Sequence, residues 1–153
     1  MIRSPLFAAM LCACALGATS ASAADAPAAK AKKPALPKTN YVDLSSQALL
    51  DAASAKTLMG EAVPAKIWKL YPAGKWAFVS QVEGGMTPAG ACVVTARAML
   101  APLSLGNKVL LKPEKMATAF DTQAGATREQ CQALAKGKLK EAVDAVVSSL
   151  VKT

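Results

Sequence analysis

The sequence predicts an α+β domain: a helix, a meander of three or four antiparallel strands, and a long C-terminal helix packed on one sheet face, in αβββα order. Three observations lead there. Thr127–Val151 carries a helical apolar stripe behind a capping signal, and Lys75–Glu83 and Ala91–Leu100 read as strands around a Gly/Pro-rich loop. Removing an N-terminal leader of 23 residues from the 153 leaves 130, enough for one hydrophobic core and hardly for two.

The leader reads as a signal peptide over residues 1–23. Met1–Ser4 is a short basic start, Pro5–Leu16 is apolar, and Ala21-Ser22-Ala23 supplies the small-x-small pattern cleaved before Ala24. A competing reading takes Leu11-Cys12-Ala13-Cys14 as a loose bacterial lipoprotein box, with Cys14 acylated and the following stretch a tether. No apolar run reaches the ~18–20 residues of a membrane-spanning helix, so no transmembrane segment is expected in the mature chain. Residues 24–40 are rich in Ala, Pro and Lys. Pro27, Pro34 and Pro37 oppose a helix, so this stretch reads as a disordered linker, with residues 41–153 as the single folded domain.

Within that domain, residues 44–59 are expected to be helical. Ala48, Ala52, Ala55 and Met59 follow Leu44 at helical spacing, Asp43 or Ser45 offers a cap, and Gly60 with Pro64 ends the run. Ala65–Tyr71 is ambiguous between a short strand and a helical turn, and Pro72-Ala73-Gly74 forces a turn. The next two strands are expected to pair around a loop at Gly84-Gly85 and Pro88-Ala89-Gly90. If Glu83 faces Ala91, then Val82 meets Cys92, Phe78 meets Ala96 and Trp76 meets Ala98 on the covered face. The opposite face then carries Gln81, Thr95 and Arg97. Lys108–Lys112 is a third strand candidate and Met116–Phe120 a fourth, with Pro113 marking a bulge, bend or edge.

The last helix opens with Thr127 and Gln130 in capping-box positions. Cys131, Ala135, Leu139, Ala142, Val146 and Leu150 trace its buried stripe, while Lys136, Lys138 and Lys140 solvate its outer side or, less simply, gather an anion. Cys12 and Cys14 depart with the leader. Cys92 and Cys131, 39 residues apart, then form the one expected disulfide, joining the covered sheet face to the helix stripe. The alternative is a reactive thiolate at Cys131 near the helix N-terminus.

Composition narrows the chemistry. The chain is 53% hydrophobic and 5% aromatic, with 18 basic against 10 acidic residues and no histidine. Imidazole-based acid–base catalysis, Ser–His triads and imidazole metal sites are therefore excluded. The carboxylates form no motif for paired-carboxylate hydrolysis, no Ser–Lys pair stands out, and Gly84-Gly85-Met86 lacks the continuation of a phosphate loop. No catalytic residue, metal or cofactor is expected. The αβββα order is shared with double-stranded RNA-binding domains, but the lysines are scattered and the chain is exported, so no nucleic acid is expected as a partner.

The expectation is an exported bacterial cell-envelope (periplasmic) protein, acting as a non-catalytic binding or accessory domain on another envelope protein or a cell-wall polymer. Its candidate binding surface is Gln81, Thr95 and Arg97, with Trp68 and Tyr71 nearby. The alternatives are an inhibitor of a secreted hydrolase, a structural envelope component, and a thiol-dependent enzyme if the cysteines are free.

Overall fold

Apolar, aromatic and β-branched residues (Trp76, Phe78, Val79 and Val82; Val93, Val94 and Thr95) with no internal proline let the chain extend through Trp76–Met86 (β2) and Ala91–Pro102 (β3), which form the centre of a four-stranded sheet. The structure is a computed structural model and describes residues 38–46 and 48–151. The expected signal peptide, Cys14 and residues 24–37 of the expected linker lie outside the described residues. Elements follow in the order Tyr41–Asp43 (β1), Ala52–Ala62 (α1), Ile67–Leu70 (α2), β2, β3, Lys115–Ala124 (β4) and Arg128–Leu150 (α3). The sheet order is β1-β2-β3-β4, with β1 parallel to β2 and the other pairings antiparallel. The fold is α+β, as the sequence predicts, with a parallel edge strand added in front.

The first strand accounts for the late start of the first helix. Leu44 N–H still donates to Ser80 C=O at 2.8 Å, and the Ser45 hydroxyl accepts from Val82 N–H at 2.8 Å while donating to Asp43 at 2.6 Å. The fully buried Ser80 hydroxyl also donates to Asp43, at 2.7 Å. Residues 43–45 are thus spent on holding β1 to β2, and the helix expected from residue 44 begins at Ala52. Its cap is Asp51, which accepts from the backbone N–H and the hydroxyl of Ser54 at 2.8 and 2.7 Å. Gly60 lies inside the helix instead of ending it. Asn40, expected in the linker, is tied to the domain as well, accepting from Phe78 N–H at 2.9 Å.

The register of the central hairpin differs from the expected one. Met86 pairs with Cys92, Val82 with Ala96 and Phe78 with Leu100, a shift of four positions. The strand runs on through Gly84 and Gly85, whose φ angles of 126° and 155° suit glycine, and the turn tightens to 87–90. An even shift leaves every side chain on its expected face. Phe78, Val82, Cys92, Val94 and Ala96 therefore all enter the core under the helices. The strand expected at Lys108–Lys112 is reduced to one bridge between Leu103 and Val109. Pro102 and Pro113 cannot donate to a ladder, and Asn107 turns the chain at φ 58°. The third antiparallel strand is instead β4, longer at both ends than the expected 116–120.

Helix α3 packs over β3 and β4, and α1 packs against α3 and β1. The capping box forms: Gln130 N–H donates to Thr127 Oγ1 at 3.2 Å and Thr127 N–H to Gln130 Oε1 at 2.8 Å. Cys131 in its first turn is bonded to Cys92, with 5.5 Å between their Cα atoms, so neither is a free thiolate. The small residues Ala96, Ala98 and Ala119 on the covered face let the helix approach the sheet.

Two of the three helix lysines are paired: Lys138 with Glu141 at 2.9 Å and Asp121 at 3.1 Å, and Lys140 with Asp144 at 2.6 Å. They do not form an anion pocket. The Lys138 contact holds the Asp121 carboxyl below the ordinary aspartate range. Ser54 does the same for Asp51, and the first-turn backbone N–H for Glu129. Lys138 is raised by its bonds to Glu141 and then Asp121. Lowered carboxyls stabilise the fold fully above the ordinary carboxyl range, and the contribution disappears as pH falls through the lowered values. The raised lysine contributes below its ordinary range and loses its effect as pH rises through the raised value. With no histidine to titrate between, the urea midpoint should be flat from about pH 5 to 8 and fall below about pH 4. A midpoint that changes steeply around neutrality would contradict this assignment of charges.

Candidate functional site

Strand alternation gives the sheet one face that carries no helix among the described residues. It is built from cross-strand rows: Val79, Met99 and Met116; then Gln81, Arg97 and Thr118; then Glu83, Thr95 and Phe120. Leu103 and Val109 of the 103–109 loop cover one end, packing on the buried cluster Ala77, Val79, Met99 and Ala101. The far end, around Thr95, is open.

Between them lies a groove of about 330 Å³ lined by Leu44, Gln81, Arg97, Met99, Leu111, Pro113 and Met116. Its character is a single guanidinium among apolar walls. Arg97 Nη1 donates to Gln81 Oε1 at a long 3.4 Å, and Arg97 Nε is buried with no hydrogen-bond partner among the described residues. Arg97 takes part in no ion pair there either. Three buried polar atoms have no hydrogen-bond partner among the described residues, Asp43 Oδ2, Trp68 Nε1 and Arg97 Nε, and of these Arg97 Nε belongs to a groove-lining residue, where an acceptor on a partner would satisfy it. Leu111 and Met116, 70% and 55% exposed, are the walls such an acceptor would pass. Two further shallow clefts run between α1 and α3, lined by Glu61 with Lys136 in one and with Lys140 and Asp144 in the other. There the charges of Lys140 and Asp144 already meet.

The structure brings Gln81 and Arg97 together and sets Thr95 one row away on the same face. It separates Trp68 and Tyr71 from them. Trp68 is buried in the helix-side core, edge-on to Tyr41 at 5.4 Å and to Phe78 at 5.7 Å, and Tyr71 stands edge-on to Trp76 at 5.3 Å. The two aromatics serve the opposite side of the sheet because α2 leads into β2 from the helix layer. Sequence reasoning missed Leu44, Met99, Leu111, Pro113, Met116 and Phe120. The signal for Met116 and Phe120 was present, since two large apolar residues alternate with Thr118 on a short strand.

Among the described residues, no three cysteine or acidic side chains gather as a metal site, and no helix is long and apolar enough to cross a membrane. No protein-family model matches the chain, and no curated protein matches it. Among solved structures, the PelC L103M dodecamer from Paraburkholderia phytofirmans is similar over 72% of this chain and 89% of that one. The identity is 15% and the TM-score 0.41. A likeness so slight transfers neither site nor activity.

Proposed function

We propose that this protein is exported to the bacterial cell envelope and acts there as a non-catalytic binding domain. Its partner is another envelope protein, which presents a carboxylate flanked by apolar side chains to the open sheet face. The observation that carries the reading is Arg97, a charged group with a buried, unpartnered Nε in the floor of an apolar groove. A charge-assisted hydrogen bond to that atom contributes about 1.5–3 kcal/mol, and the leucine and methionine walls favour an acid with apolar neighbours over a fully hydrated one. Export is supported by the leader pattern of residues 1–23 and by a disulfide, which persists in oxidising compartments.

Two experiments test the proposal. Intact mass of protein recovered from the envelope should correspond to a chain beginning at Ala24 that gains two hydrogens on reduction. An acylated chain beginning at Cys14 would make it a tethered lipoprotein, and an unprocessed chain would contradict export. Photo-crosslinkers placed at Leu111 and Met116 in living cells should capture one protein through an acidic segment, and Arg97→Met should reduce that capture about tenfold or more. Crosslinks that instead form from α1 or α3, or that mark a cell-wall polymer, would overturn this choice of surface or of partner.

A further inference from the structure

The outer edge of β4 carries no further strand among the described residues, and it shares Met116 with the groove. Gly125 N–H donates to Gly90 C=O at 3.0 Å, in step with the Ala91–Ala124 register. This phase assigns the odd-numbered residues of β4 to the ladder with β3, and turns the main-chain groups of Met116, Thr118, Phe120 and Thr122 outward. Thr122 N–H is taken by the Asp121 carboxylate at 2.8 Å, while those of 116, 118 and 120 have no partner among the described residues. The usual protections of an edge strand are sparse. Residues 115–124 contain no proline and only two charges, Lys115 and Asp121, and Phe120 and Met116 are 62% and 55% exposed.

We propose that this edge pairs, antiparallel, with the same edge of a second copy of the chain, about a two-fold axis through Thr118. The choice of a second copy rests on complementarity. With Thr118 opposite Thr118, Met116 faces Phe120 of the other copy, Ala117 faces Ala119, and Lys115 faces Asp121. Each of these matches occurs twice. The apolar pair falls on the open face and the charged pair on the helix-covered face, and the outward-turned groups of 116, 118 and 120 meet their counterparts in phase. A shift of two residues would place Met116 against Thr118 or Thr122 and lose both the Met116–Phe120 and the Lys115–Asp121 matches. The axis stands perpendicular to the sheet, so the two sheets join into one and both Arg97 grooves face the same way. Met116 lines the groove, so the other copy's Phe120 extends its wall. The contact is small for a specific interface, which points to a dissociation constant in the micromolar range.

Sedimentation analysis of the full chain under oxidising conditions tests this directly. The wild-type protein should show a monomer–dimer equilibrium across the micromolar range. Thr118→Pro removes the central outward N–H without touching the bonds to β3, and should raise the dissociation constant roughly tenfold or more. Met116→Lys combined with Phe120→Lys sets like charges against each other in both symmetric pairs and should give a monomer. Met116→Lys combined with Phe120→Glu restores attraction in this register alone and should dimerise again, more weakly as salt is added. Both double variants alter only exposed side chains, and unchanged circular dichroism identifies them as folded. A wild-type chain that remains monomeric, or a dimer that survives both Thr118→Pro and the double lysine variant, would overturn the proposal.

Discussion

Reducing the Cys92–Cys131 bond should lower the unfolding free energy by about 3–4 kcal/mol, the chain-entropy value for a closed loop of this length. The bridge spans 39 residues and joins the first turn of α3 to β3, so the unfolded chain regains most of the freedom that the loop denied it. Small domains have about 5–15 kcal/mol in total, which makes this a large share. Reduction is the cleaner perturbation, because both sulfurs remain in a site from which solvent is excluded and no cavity opens. The slope of the urea transition should steepen as well, since the reduced unfolded state exposes more surface. A change below about 1 kcal/mol would mean that packing alone holds α3 on the sheet.

Gly84→Ala should cost about 3 kcal/mol or more, although the position lies at the surface. Gly84 has φ 126°, a conformation costly for any residue with a Cβ, and the added carbon would overlap the Val93 carbonyl oxygen and press on Val94 Cα at 3.2 Å. The obstacle is backbone from the paired strand, which cannot rotate aside. Gly85→Ala provides the control: its φ of 155° imposes strain, but nothing lies within 4 Å of the new carbon. It should cost clearly less, and equal losses in urea denaturation would show that backbone strain, not the clash with β3, limits this position.

The same glycines mark where the sequence could be followed and where it could not. Gly84-Gly85 signals a loop by composition, yet the strand passes through it because positive φ angles permit the continuation. The register moved by four as a result, while facing, which depends only on parity, was legible from the alternation of Phe78, Val82, Cys92 and Val94. The terminal helix was legible almost to the residue because Thr127, Gln130 and the apolar stripe are local signals. The first helix was not. Asp43 and Ser45 look like caps in sequence, but a parallel strand 37 residues away takes their side chains, and no local pattern reports that pairing. The site divides in the same way. Gln81, Thr95 and Arg97 followed from alternation, whereas Trp68 and Tyr71 were misplaced because the path of α2 is a tertiary fact. Leu111 and Pro113 reach the groove only through the loop that replaces the expected strand.

Arg97 is where the functional account is most exposed to test. Its buried Nε–Hε group should give a signal in a nitrogen–proton correlation spectrum that can be followed while a short peptide with glutamate between two leucines is added. A saturable downfield shift of that signal, absent with the glutamine version of the peptide and in Arg97→Met, is the predicted result. A signal that stays in place at peptide saturation, or moves equally with the glutamine peptide, would show that the groove does not receive a carboxylate.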